Sequence, residues 1–137
     1  MTVMDPDLNI PFDRLRQLRA ILLKLHKALL DSEKILYEQM HGRIRSSGEF
    51  FQLVVEHEWF NWLRAISKFI VQIDEALDAK EPMTLGQVNG LLEDARQLLR
   101  PVEQGTEFEK RYYQAIQRDP NIAFMHGQVT NLLRVPS

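Results

Sequence analysis

One stretch of the sequence combines acidic, imidazole and indole side chains within ten residues. In VEHEWFNWLR, residues 55–64, two glutamates flank His57, and Trp59 and Trp62 follow. Carboxylates beside a histidine could bind a metal ion or transfer a proton. On a continuous helix, however, His57 would face solvent opposite the apolar stripe, while both indoles would turn inward. The helical spacing therefore favours a solvated histidine beside a buried aromatic face.

The remaining histidines and glutamates do not complete a known metal-binding pattern. Di-iron bundles take Glu-x-x-His motifs from two helices, and this chain has one, Glu38 to His41. The other three histidines lack a glutamate three residues earlier, and cysteine is absent. We predict no metal ion, no cofactor and no catalytic residue. Whether the protein is an enzyme is left open, with a non-catalytic protein favoured.

A second polar group consists of residues that fall close to the predicted core. His26 and Glu33 stand two turns apart on the first predicted helix, and folding of the first helical hairpin brings Glu33 near Glu56 and His57. Polar groups near a core must be paired, and interhelical salt bridges that fix the register are the favoured interpretation. The alternative is a ligand-binding pocket lined by His26, Glu33, Glu56 and Trp59.

Two arginines in the linker after the first helix suggest a further site. Arg43 and Arg45 precede the start of the next helix, whose free N–H groups could help them to bind an anion. Cations that follow a helix C-terminus also stabilise its dipole. The dipole interpretation is favoured, and anion binding by Arg43 and Arg45 is kept as the alternative.

The apolar residues recur at the helical period over most of the chain. The pattern predicts a first helix over 11–41, ended by Gly42, and a second helix over 49–79. Antiparallel pairing of these two helices would bring Arg16 and Arg19 near Asp74. We predict a flexible N-terminus over residues 1–10 and a single helical domain over residues 11–134.

The C-terminal half contains several helix boundaries. TLGQ and TEFE are capping boxes that open a third and a fourth helix, and the fourth is broken at Asp119-Pro120. No segment has the alternation of a β-strand. The sequence therefore predicts an all-α protein, an up-down four-helix bundle with a long first hairpin and a broken fourth helix.

The composition limits the class of protein. The chain has 137 residues, 45% of them hydrophobic and 26% charged, with a formal net charge of −2. This balance is typical of a globular domain, and no basic stretch predicts a nucleic-acid surface. The most apolar run, residues 59–73, is interrupted by polar residues and falls short of the about 20 residues of a bilayer span. We expect a cytoplasmic protein that binds neither nucleic acid nor membrane.

Three short motifs also carry a resemblance. The His41-Gly42-Arg43 turn, the Trp-Phe-x-Trp-Leu block at 59–63 and the Ile-Asp-Glu ending at 73–75 resemble a family of small bacterial all-helical proteins. The similarity extends through FEKRYYQAIQRDP and so covers most of the chain. The resemblance implies a bacterial helical domain and brings no activity with it.

The long apolar helices indicate how such a protein would act. Their apolar faces exceed what the shorter third and fourth helices can cover. We therefore expect a protein that works through protein–protein interaction or self-association, as a homodimer or with another protein partner. A small-ligand or metal-binding bundle that uses the pocket near His26, Glu33 and Glu56 is the alternative.

Overall fold

The described part of the chain, residues 6–134 in a computed structural model, is all-helical. It forms six α-helices and one 3-10 helix and contains no β-strand. The elements are α1 (Pro6–His41), α2 (Ser47–Glu56), a 3-10 segment (Glu58–Leu63), α3 (Arg64–Asp78), α4 (Leu85–Leu98), α5 (Glu107–Arg118) and α6 (Pro120–Leu133). The predicted all-α class is confirmed for these residues.

The long helix α1 is the centre of the fold. It packs against α3, α4 and α6, and a leucine stripe along it is fully buried. The stripe repeats at intervals of three and four residues, which keeps it on one helical face. The stripe consists of Leu15, Leu18, Leu22, Leu25 and Leu29.

The N-terminal boundary differs from the sequence prediction. The helix begins at Pro6, so Pro11 lies inside α1 rather than at its first position. Of the predicted flexible segment 1–10, residues 1–5 lie outside the described residues, and residues 6–10 belong to α1.

The single helix predicted over residues 49–79 is wrong, because the α-helix stops at His57. The backbone of His57 is extended, with φ −85° and ψ 134°, and its N–H still donates to the Leu53 carbonyl at 2.8 Å. The side chain of Arg64 donates a hydrogen bond to the Val55 carbonyl across the break. A free carbonyl at the end of α2 is thus satisfied by the first residue of α3.

The 3-10 segment that follows sorts four large side chains onto two faces. A 3-10 helix has three residues per turn, so residues three apart lie in line. Phe60 and Leu63 share one face and are buried in the core. Trp59 and Trp62 share the other face, where Trp62 is buried and Trp59 is half-buried. The side chains of this segment therefore point in the directions set by a 3-10 helix, and not in those of the continuous α-helix that the sequence pattern predicted.

The predicted boundaries in the C-terminal half are confirmed. Thr84 with Gln87 and Thr106 with Glu109 form reciprocal capping boxes at the starts of α4 and α5. The Asp119 side chain accepts from the Asn121 N–H at 2.9 Å and caps α6. The chain therefore reverses between α5 and α6 at the predicted break.

Two further predictions concern the end of α1 and the pairing of α1 with α3. Gly42 has φ +92°, the left-handed conformation that ends α1, and its N–H donates to the Glu38 carbonyl at 2.9 Å. An ion pair between Arg19 and Asp74 joins α1 to α3, as the antiparallel pairing predicted, whereas Arg16 pairs with Asp13 on its own helix.

Candidate functional site

The most buried charged group in the described part of the protein is the carboxylate of Glu33 on α1. Its side chain is 1% exposed, and Oε2 accepts a hydrogen bond from the Trp59 indole Nε1 at 2.9 Å. The guanidinium of Arg111 approaches Oε2 at 3.4 Å, and that of Arg118 approaches Oε1 at 3.6 Å. Oε2 is therefore hydrogen-bonded by the chain's own donors, while Oε1 has one guanidinium at ion-pair distance and no hydrogen bond within the described residues.

The two arginines reach Glu33 because of their spacing on α5. Arg111 and Arg118 are seven residues apart, which places them two turns apart on one helical face. Arg111 also donates to the Trp59 carbonyl at 3.1 Å. Its guanidinium lies 5.3 Å from the Trp59 ring and 6.0 Å from the Trp62 ring, at cation–π distance from both. The alignment of the indoles on the 3-10 segment makes this double contact possible.

A second hydrogen bond ties α5 to α1 beside the carboxylate. Nε of Arg118 donates to the hydroxyl of Ser32 at 3.0 Å, and Ser32 is buried next to Glu33. The buried indole Nε1 of Trp62 has no hydrogen-bond partner within the described residues. These contacts join α1, the 3-10 segment and α5 into one polar cluster, the Glu33 cluster, made of Ser32, Glu33, Trp59, Arg111 and Arg118.

His57 lies in an aromatic group rather than on an open helical surface. It is half-buried, and its Nδ1 accepts from the backbone N–H of Trp59 at 3.0 Å. Its ring lies 5.3 Å from the ring of Tyr37 and 6.0 Å from that of His41. The predicted solvated position is therefore wrong, because the break in the helix turns His57 into the cap of the 3-10 segment.

The four residues of the predicted ligand pocket are only partly brought together. Glu33 and Trp59 are hydrogen-bonded, whereas Glu56 is exposed on α2 and His26 is half-buried on α1, two turns before Glu33. Five clefts lie on the described surface, and none of them is lined by His26, Glu33 or Trp59. The contacts of Glu33 agree with a structural ion-pair network, and ligand binding by these residues stays a prediction.

The linker arginines, Arg43 and Arg45, are exposed. Nearby carboxylates accept hydrogen bonds from backbone N–H groups of the linker. Glu38 accepts from the Ile44 N–H at 2.9 Å, and Glu49 accepts from the Arg45 N–H at 3.2 Å. The side chains of Arg43 and Arg45 lie at the surface. Anion binding by these two arginines stays a prediction.

A tyrosine–histidine pair between α5 and α6, with the tyrosine buried and the histidine half-buried, was not predicted from the sequence. The Tyr112 hydroxyl and Nδ1 of His126 are 2.8 Å apart, and Tyr112 is fully buried. The two residues stand seven positions before and seven positions after Asp119, where the chain reverses. Seven residues correspond to about two helical turns, so the two side chains lie at the same height and on facing sides of α5 and α6, and the predicted break contained a signal for this pair.

Partial burial of two histidines makes the free energy of unfolding depend on pH. Desolvation lowers the pKa of His26 and the pKa of His126 below the ordinary value of 6.5. The unfolded chain then binds protons at a higher pH than the folded chain. The free energy of unfolding is therefore greatest above about pH 6.5 and falls as the pH drops through the folded-state pKa values.

We expect the urea midpoint of the protein to be lower at about pH 5.5 than at about pH 7.5. The H26N/H126N variant removes both titrating rings, so its difference between the two pH values should be smaller. H41N, a change at an exposed histidine, is the control and should keep the wild-type difference. An undiminished difference in H26N/H126N would contradict the assignment.

Comparisons of the chain with protein-family models, with curated proteins and with solved structures found no match. The resemblance to small bacterial helical proteins stays a prediction. Within residues 6–134, no group of three or more histidine, aspartate and glutamate side chains could hold a metal ion. The same range contains no helix with the length and apolar character that a bilayer crossing requires.

Proposed function

We propose that this protein is a self-associating helical module and that two copies of it pair through α2. The observation that supports this function is that α2 is rich in apolar residues but contains no buried residue. Half of its ten residues are large and apolar, yet none of its residues is buried. These five residues are Phe50, Phe51, Leu53, Val54 and Val55.

One face of α2 is directed away from the protein. Phe50 packs against the buried Phe60 at 5.7 Å between ring centroids and so attaches α2 to the 3-10 segment. Phe51 and Val55 are 70% and 48% exposed. They are four residues apart and form one stripe on the outer surface of the helix. An apolar stripe of this kind on a short helix is typical of a docking surface.

The end of α1 next to this helix is also less covered than its centre. At 1.5 Å per residue, the 36 residues of α1 span about 54 Å, far more than the shorter helices that pack on it. Ile35 and Met40, in its last two turns, are 58% and 71% exposed. A second subunit at this end would cover part of the apolar surface that the chain itself leaves open.

The charges around α2 favour a second copy of this chain as the occupant. Arg43 and Arg45 precede the helix, and Glu56 and Glu58 lie at or beyond its end. None of these four side chains has an ionic partner within residues 10–134. An antiparallel pair of α2 helices related by a two-fold axis would place the arginines of each copy beside the glutamates of the other. Self-complementarity of this kind is what an isologous interface requires.

The proposal includes two features expected from the sequence, the up-down four-helix arrangement and the cytoplasmic location. α2, the 3-10 segment and α3 together act as the second arm of an up-down four-helix arrangement, with α5 and α6 as its broken fourth arm. The protein acts in the cytoplasm. A chain without cysteine forms no disulfide bond and is therefore suited to this reducing compartment.

Sedimentation equilibrium of the F51D variant tests the interface. The wild-type protein should form a dimer, and F51D should raise the dimer dissociation constant at least about tenfold, because a charge would be buried in an apolar contact. F124D is the matched control, since Phe124 is 67% exposed on α6 and undergoes the same change. Far-UV circular dichroism checks that both variants stay folded.

A charge exchange tests the antiparallel orientation separately. R45E and E56R should each weaken the dimer, because like charges would then meet across the two-fold axis. The double variant R45E/E56R should recover the wild-type association. A wild-type protein that stays monomeric at about 100 μM, well above the micromolar range of modest interfaces, would overturn self-association. Dissociation by F124D rather than F51D would overturn the choice of α2.

A further inference from the structure

A surface cleft lies in the C-terminal half of the protein, and none of its lining residues belongs to α2. It is formed by the end of α4, the loop that follows it and the last turns of α6, and its volume is about 530 Å³. Small-molecule sites in proteins commonly occupy about 300–1,000 Å³. The cleft is therefore large enough for a small organic ligand.

Among the described residues, three arginines line this cleft and no acidic residue does. Arg96 is held in place by two bonds, from Nε to the Leu133 carbonyl at 2.6 Å and from Nη1 to Glu93 at 2.8 Å. Arg134 donates to the amide oxygen of Asn131 at 3.3 Å. Arg100 makes no ion pair with any residue from 10 to 134. Among residues 10–134, the side chains around the cleft therefore do not neutralise all of its positive charge.

Acidic residues near the rim do not remove this excess. Glu109 belongs to the capping box of α5, and the positive charge of Arg100 contributes to the lowering of its carboxyl pKa, after the larger effects of its hydrogen bonds to Thr106. Glu93 binds Arg96 from the outer side of α4. Both carboxylates are already engaged, and neither lines the cleft.

The rest of the cleft wall is apolar or carries a neutral donor. Leu99, Val129 and Leu133 are buried residues whose side chains line it. His126 also lines it, with its Nδ1 bonded to the Tyr112 hydroxyl. In the tautomer in which the Tyr112 hydroxyl donates to Nδ1, the imidazole proton is on Nε2. In that tautomer His126 keeps an N–H group that its own Tyr112 contact does not use.

We propose that this cleft binds a small amphipathic carboxylate, an anionic head joined to an apolar alkyl or aryl body. Arg100 and Arg134 bind the head, since the planar guanidinium matches the two oxygens of a carboxylate. The side chains of Leu99, Val129 and Leu133 enclose the apolar body. Arg96 positions the end of α6 through its bond to the Leu133 carbonyl. This site is separate from the self-association surface on α2.

Titration of the ¹⁵N-labelled full chain with decanoate, below its micelle-forming concentration, tests the site. Amide signals of His126, Thr130 and Leu99 should shift in a saturable way. The R100Q/R134Q variant should bind decanoate at least about tenfold more weakly, because it loses two charge-assisted contacts. The control K24Q/K27Q removes the same charge at exposed positions of α1 outside the cleft and should bind as the wild type does.

Decanol and lipid vesicles separate the alternatives. Decanol has the same alkyl chain without the charge and should bind at least about tenfold more weakly than decanoate. Equal binding of the two, or shifts confined to α2, would overturn the proposal. Binding to phosphatidylglycerol vesicles that depends on Arg100 and Arg134, without any response to free decanoate, would overturn a small-molecule ligand in favour of a lipid surface.

Discussion

The Glu33→Ala variant should have a free energy of unfolding about 3 kcal/mol lower than the wild type, a loss at the lower end of that for breaking a buried ion pair. The substitution leaves Arg111 and Arg118 without their common carboxylate and the Trp59 indole without its acceptor. Both arginines are about a quarter exposed, so water can partly replace the lost partner, and the cost stays near this lower end. Urea unfolding followed by circular dichroism measures the loss.

Two further variants separate the charge from the hydrogen bond. Glu33→Gln keeps an oxygen that can accept from the Trp59 indole and should lose only about 1–2 kcal/mol. Glu75→Ala removes an exposed carboxylate of α3 and should change the free energy of unfolding by no more than about 0.5 kcal/mol. If Glu33→Ala were as stable as Glu75→Ala, the Glu33 cluster would not stabilise the fold.

The Phe60→Ala variant should lose about 3–5 kcal/mol, the range for a large aromatic side chain removed from a packed core. Phe60 is fully buried, and its ring lies 5.7 Å from that of Phe50 and 5.8 Å from that of Tyr37. The cavity would open where α1, α2 and the 3-10 segment meet. Because Phe50 attaches α2 through this contact, amide hydrogen exchange should accelerate in α2 more than in α4.

The matched control for this variant is Phe124→Ala on α6. Phe124 is 67% exposed, so its removal leaves no buried cavity and should change the free energy of unfolding by about 0.5 kcal/mol or less. Equal losses in the two variants would mean that the 3-10 segment does not direct Phe60 into the core. A loss in Phe60→Ala without faster exchange in α2 would mean that α2 is held by other contacts.

The sequence predicted the features that depend on residues within about one helical turn of each other. The capping boxes at Thr84 and Thr106, the left-handed Gly42 and the break at Asp119 are all where their local signals placed them. Each of these features is a hydrogen bond or a backbone conformation among near neighbours. Propensity and periodicity therefore suffice to locate them.

The long-range pairs were predictable only where two helices run alongside each other without interruption. The Arg19–Asp74 pair followed from the antiparallel hairpin, and the Tyr112–His126 pair could have been found from the symmetry about the break. Glu33 was correctly placed near the core. Its two arginine partners were not predicted, because they belong to α5, whose packing against the other elements no local pattern specifies.

By itself the sequence determined that this chain is helical, where most of its helices end and which faces of them are apolar. Only the tertiary structure decided that the α-helix breaks at His57, that both indoles face Arg111, and that Glu33 is neutralised from α5. The Arg111–Glu33 contact spans 78 positions of sequence, and the Arg118–Ser32 contact spans 86. Contacts between residues so far apart in sequence form because packed helices that bury a charge must also supply its partners. Such contacts can outweigh the local preference for a continuous helix.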